Sequence, residues 1–299
     1  MRKSRLNRFL FFDYINVFML LCAGIVTFYP FYNVLLMSLN DPTDSSMGGL
    51  FLFVRKFTLL NYYQFFKDSL LLRAFFISVG RTVIGTFCSV LFTSAFAFGI
   101  SKSYLIGRKF VVGFMLLTMY ISGGLVPYFI LIKSVGLYHN FLVYVIPALF
   151  SSYNAIILMT AFKQIPHEIE ESVRIDGGND ITIFFRVVIP ISMPVIATIA
   201  LFNAVGQWNA WFDSILLGGR ELMTLQAKLV EVITDANQAR ELERAGQNII
   251  AGILQQHYKP TVESIKATAM MVTAIPIIAV YPFLQKYFVK GIMIGSLKG

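Results

Sequence analysis

The chain has 299 residues, 57% of them hydrophobic and 14% charged, and a formal net charge of +9. A soluble domain carries roughly 25% charged residues and under half apolar ones, so this composition excludes an ordinary water-soluble globule. The Lys and Arg residues cluster at the ends of apolar runs, which makes the positive charge a membrane-topology signal rather than the footprint of a nucleic-acid surface.

In chain order, a basic arm over 1–14 with Arg2, Lys3, Arg5 and Arg8 precedes the first apolar run, 15–39. That run is longer than the core of a signal peptide and lacks a small-residue cleavage site, so it predicts a retained membrane helix. Further spans are predicted at 74–98, 110–132, 141–162, 192–217 and 267–289, each offering the roughly 20 residues that a helix needs to cross hydrocarbon. None keeps the period-two alternation of barrel strands. The predicted fold class is therefore an all-α integral membrane protein of six transmembrane helices, one membrane domain over 15–299, with no room for a separate soluble domain.

Orientation follows from the short segments. The 101–109 turn holds Lys102, Arg108 and Lys109 and no acid, and the N-terminal arm is equally basic, which predicts both termini in the cytoplasm. The longer connections 40–73 and 218–266 then lie outside, and the second contains a helical stretch with Leu225, Leu229 and Val232 on one face.

Several polar residues interrupt the apolar runs. Arg81, seven residues into the second span, must snorkel outward, pair with a partner or face a water-filled path, and snorkelling is the cheapest of these. Asn203, Gln207, Asn209 and Asp213, with Trp208 and Trp211, give the fifth span amides, indoles and a carboxylate. These are the groups that recognise sugar hydroxyls and ring faces. The same residues also suit an interfacial aromatic belt and interhelical hydrogen bonds, and both readings stay open. Gly123, Gly124 and Pro127 in the third span permit a kink or a discontinuous helix. Cys22 and Cys88 fall inside spans with no ligand set around them, and His139, His167 and His257 lie in three different connections, so neither a disulfide framework nor a metal site is predicted.

The cytoplasmic loop 163–190 carries the strongest signal. Pro166 opens an amphipathic helix with Ile169 and Val173 on one face; Asp176, Gly177 and Gly178 stop it. Asn179 or Asp180 caps a second short helix with Ile183, Phe184, Val187 and Val188 as its apolar stripe, ended by Pro190. Such a knob suits either lipid headgroups or a groove on a partner. Its five acids against three Lys or Arg residues favour the groove.

Glu171, Ser172, Val173, then Gly177 after three residues, then Val187, Val188, Ile189 and Pro190 after nine more, resemble the EAA motif of binding-protein-dependent ABC importer permeases. The two alanines of the motif are replaced by Ser172 and Val173. Together with the six-span plan, the Trp208-Asn209-x-Trp211 region and the 281–299 ending, the chain is similar to MalG-like carbohydrate permease subunits, within them to the subgroup for complex oligosaccharides such as alginate-type and pectin-derived sugars. The resemblance implies the type I importer permease fold in a bacterial cell membrane. It implies a second, homologous permease subunit, two ATPase subunits that carry ATP and Mg, an extracytoplasmic solute-binding protein and an oligosaccharide substrate.

It implies, further, that the loop seats in an ATPase groove, with Glu171 making a polar contact, Ile175 and Phe184 anchoring it, and Asp176, Gly177 and Pro190 shaping it. The 291–299 tail lies along the same interface or serves only as a positive-inside tail. Asn203, Gln207, Asn209, Asp213 and Arg81 are the candidate substrate path, and Arg81 hints at an acidic sugar. No catalytic residue and no cofactor is expected on this chain, which lacks a Gly-x-x-x-x-Gly-Lys phosphate loop. The competing class is a secondary transporter working without an ATPase, which predicts ionisable groups at mid-membrane and inverted repeats.

Overall fold

The computed structural model describes residues 11–46, 52–244 and 264–279. The described residues are helical apart from their connections and one isolated antiparallel bridge, Asn40 with Phe57. They form two compact units, the described residues of 1–69 with those of 231–274, and those of 70–230 with those of 275–299.

In the first unit, α1 (Phe11–Leu39) is long and apolar enough to cross a membrane. Most of its apolar side chains between Tyr14 and Phe31 are exposed, as expected of a helix whose solvent is lipid. Its C-terminal end is tied to the short helices α2 (Pro42–Ser46) and α3 (Leu60–Lys67) through two buried asparagines. Asn40 donates to Asp44 at 2.8 Å and Ser45 at 3.0 Å and accepts from the backbone of Arg55 and Lys56, while Asn61 donates to the carbonyls of Ser38 and Asn40. The Asn40 amide and then the Arg55 guanidinium hold the Asp44 carboxyl below the usual carboxylate range. The contribution of this charge is therefore complete above about pH 4 and is lost as the pH falls through the lowered folded value. The 40–73 connection is thus a folded cap at its base.

The second unit is organised around α4 (Ser69–Ser101), an unbroken helix of 33 residues. α5 (Arg108–Tyr120) and α6 (Leu125–Ser134) together correspond to the expected third span, but they meet at 116°. Gly124 at φ +82° makes the break, and Pro127 falls in the first turn of α6, where its missing N–H costs nothing. The expected fourth span contains only α7 (Ser152–Phe162), preceded by a short 3-10 turn, Phe141–Tyr144. α8 (His167–Ile175) and α9 (Asp180–Ile191) form the loop between it and α10 (Met193–Asn209).

The second loop helix ends at Ile191, one residue past the Pro190 at which the sequence places its end. Phe184–Val188 forms a π-helical turn in which Ile189 N–H reaches back to Phe184 C=O, and this wider turn accommodates a proline that has no N–H of its own. The chain then bends by 83° at the Ser192 junction. The stretch after residue 218 is helical as expected, α11 (Leu225–Arg244), and α12 (Ser264–Ala279) covers the start of the sixth predicted span. The rest of that span and the 281–299 ending lie outside the described residues.

Among the described residues two helices are long and apolar enough to span a membrane, and up to four spans result if each bent pair counts as one. The core of the second unit gathers at the C-terminal ends of α4 and α7 with the loop helices: Ala97, Phe98, Leu158, Phe162, Ile183, Phe184, Val188 and Ile199 are buried together.

Candidate functional site

The loop between α7 and α10 is a helix–elbow–helix protrusion, and its residues account for its shape. α8 ends in a Schellman turn: Gly177, at φ +81°, donates to Arg174 C=O at 3.0 Å, and Gly178 donates to Val173 C=O at 2.8 Å. Asn179 then caps α9, its side-chain oxygen accepting from Thr182 N at 2.9 Å. Arg174 donates to the Tyr104 hydroxyl at 3.5 Å and pairs with Asp180 across the elbow at 2.5 Å, and the Tyr104 bond, then the Asp180 charge, push its guanidinium pKa up.

The protrusion has a wet side and a seated side. Glu171 and Asp176 are exposed, and Ile175 and Ile181 are 84% and 67% exposed, although each is a large apolar side chain. Phe184 is instead buried, its ring 5.4 Å from that of Phe98 on α4. The structure therefore puts Phe184 in the root of the protrusion and leaves Ile175 on its surface. Glu170, next to Glu171, is buried and ion-paired with Lys102 immediately after α4, and the Lys102 ammonium sits 4.1 Å over the Phe98 ring.

Of the polar residues picked from the spans, Arg81 lies in the first half of α4, 21 positions or about 30 Å along the helix from Lys102. Arg81 is only 4% exposed, so it does not snorkel; it is paired. Its guanidinium donates to Gln207 Oε1 at 2.7 Å and to both Asp213 carboxylate oxygens at 3.0 and 2.5 Å, and it lies 4.5 Å from the centre of the Tyr144 ring. Gln207 returns a bond to Tyr144 C=O, and Tyr144 in turn donates to Leu222 C=O at 2.6 Å. Arg81, Gln207 and Asp213 are thus brought together, but they satisfy one another. The positive charge that hinted at an acidic sugar is already matched by Asp213. Asn203 stands apart, its buried Nδ2 without a hydrogen-bond partner, and Asn209 is exposed at the end of α10. Trp208 is buried beside Phe75, whereas Trp211 is 41% exposed.

This network tolerates little added volume. A Cβ at Gly218 would stand 2.0 Å from the Tyr144 hydroxyl. Gly218→Ala is therefore expected to destabilise the chain by about 1–3 kcal/mol, the usual range for overpacking, read as a lower midpoint of thermal unfolding in detergent.

Sequence reasoning missed Lys102, Glu170, Tyr144 and Ile181. Lys102 looked like one more positive-inside residue, and Glu170 like a neighbour of Glu171. Only a helical wheel of α8 carried a signal, since Glu170 shares the apolar face of Val173 rather than the exposed face.

Residues 91–294 match the family described as binding-protein-dependent transport system inner membrane component. Protein LplC of Bacillus subtilis is 33% identical over 96% of this chain and 95% of its own length. The polygalacturonan/rhamnogalacturonan transport system permease protein YtcP of the same organism is 34% identical over 99% of this chain and all of its own. Among solved structures, a bacterial ABC transporter involved in the import of the acidic polysaccharide alginate has a chain that superposes with a TM-score of 0.82 at 28% identity. That match covers 93% of this chain and 96% of the other.

Proposed function

The chain belongs to the family of binding-protein-dependent transport system inner membrane components, and from that membership we propose that it is one permease subunit of an ATP-driven oligosaccharide importer. It works as a multi-pass protein of a bacterial membrane, with six spans and both termini in the cytoplasm; the two bent pairs, the short apolar helix α7 and the partly described sixth span supply the four crossings beyond α1 and α4. Residues 15–299 act as one permease domain that contributes half of the translocation path. A second, homologous permease contributes the other half, an extracytoplasmic solute-binding protein delivers the sugar, and two ATPase subunits hold ATP and Mg. The relatives that handle polygalacturonan, rhamnogalacturonan and alginate support a complex, acidic oligosaccharide as the substrate class.

The observation that carries this reading is the protrusion. A folded, internally braced knob that leaves two isoleucines and a line of acids in water is built to be covered. The cover is an ATPase groove: Glu171 supplies a polar contact, Ile175 the exposed apolar anchor, and Asp176 and Gly177 the elbow between them. Phe184 and Pro190 shape the root. Asn203 and Asn209, which the Arg81 network leaves out, are the better candidates for lining the sugar path.

Ile175→Asp and Glu171→Ala test the docking. Each is expected to reduce copurification of the ATPase with the permease pair at least about tenfold, the effect of losing an interface anchor worth over ~1.4 kcal/mol. Undiminished capture in both variants would remove the protrusion from the interface. Sugar uptake by the purified chain in vesicles with no ATPase present would favour a secondary transporter instead.

A further inference from the structure

Glu170 and Lys102 have no place in an ATPase contact. Successive residues on a helix point about 100° apart, so the helix that shows Glu171 to water turns Glu170 inward. There its carboxylate meets the Lys102 ammonium, with side chains 11% and 6% exposed. A buried ion pair contributes little to stability, yet it fixes register, because any sliding separates two charges that no water can reach. The second loop helix is seated on the same turn of α4, through Phe184 on Phe98. Both halves of the protrusion therefore rest on one end of one helix.

That helix has no proline and no break over its 33 residues. Arg81 and Lys102 are 21 positions apart, which at 1.5 Å per residue is about 30 Å, the thickness of the hydrocarbon layer. Farther along the helix Arg81 grips Gln207, the Ala210 carbonyl and Asp213, where α10 ends and the chain turns back through the π-helical segment Ser214–Gly218. The Lys102–Glu170 pair at the last turn and the Arg81 grip in the first half are thus two charged joints on one unbroken helix.

We propose that α4 is the element through which movement of the protrusion reaches the far end of α10, and that Lys102 and Glu170 are the positioning residues that make α4 move with it. This inference rests on the protrusion being the ATPase contact. The spans that flank the loop in sequence, α7 and α10, need not carry the stroke, because α10 is joined to the loop at an 83° bend whereas α4 is clamped to it.

The test uses the complete importer in proteoliposomes, with ATP hydrolysis and sugar uptake measured together. Lys102→Met and Glu170→Gln each strand one charge and lower the yield of folded chain, but the chain recovered is expected to capture the ATPase as the unaltered chain does and to hydrolyse ATP while moving about tenfold less sugar per ATP, within the usual range of a coupling free energy. Lys102→Arg, which keeps the charge, should restore most of the loss. A second measurement does not depend on how well these variants fold. With Cys22 and Cys88 replaced, spin labels at Ser103→Cys and His167→Cys should keep the same separation in the nucleotide-free and ATP-bound complexes. A change of more than about 5 Å, one turn of helix, would overturn the inference, as would full transport per ATP in Lys102→Met. Failure of the unaltered chain to capture any ATPase would overturn the docking reading and this inference with it, whereas intact capture with unchanged coupling in the variants strikes this inference alone.

Discussion

Asp213→Asn is expected to lower the stability of the chain in detergent by about 3 kcal/mol, seen as a fall in thermal midpoint and in the yield of monodisperse protein. Removing one partner of a buried ion pair typically costs 3–5 kcal/mol, and the lower end applies because the Asp213 side chain is 31% exposed while Arg81 is 4% exposed. Arg81→Leu combined with Asp213→Leu should recover most of that loss, since removing both charges leaves neither one stranded. Arg81→Leu alone should resemble Asp213→Asn, because the carboxylate then keeps only the Ser214 N–H of its described partners. An Asp213→Asn chain that melts normally but fails only in uptake of acidic sugars would reverse the assignment and return Arg81 to the substrate path.

The second large effect is expected at the elbow. Gly177 has open space where a Cβ would go, but its φ of +81° strains any L side chain by about 1–2 kcal/mol, and β-branched ones most. Gly178 has the opposite problem: a Cβ would sit 2.5 Å from Val173 Cγ1 and 2.8 Å from the Val173 carbonyl oxygen that holds the turn. Gly177→Asn should retain most transport, since asparagine tolerates the left-handed region, whereas Gly177→Val and Gly178→Ala should each reduce both ATPase capture and uptake about tenfold or more. Equal activity across this series would mean that the elbow geometry plays no part in coupling. The contrast with Lys102→Met is informative, because there capture persists and only the yield of sugar per ATP falls.

Much of the loop was legible because its determinants are local. A glycine pair after an amphipathic run, an asparagine three residues before the threonine N–H it caps, and exposed acids beside an apolar stripe act over a few residues of chain. Those interactions form wherever the segment is placed. Pro190 is local in the same way: a proline reads as a stop, and the helix ends one residue beyond it, at Ile191, after the π-helical turn that the sequence does not show. Arg81 is the residue that misled. Its cheapest local option is to snorkel, and that option loses once residues more than 120 positions away supply a carboxylate and an amide at bonding distance.

By itself, then, the sequence determined the lipid-soluble class of the chain, the approximate places of its apolar runs and the helix–elbow–helix protrusion, since composition, periodicity and capping are properties of short stretches. The tertiary structure decided which charges are spent on each other. Glu170 differs from Glu171, and Arg81 from a lipid-anchoring arginine, only by what α4 brings against them, and an ion pair between distant segments is written in no single stretch of the chain.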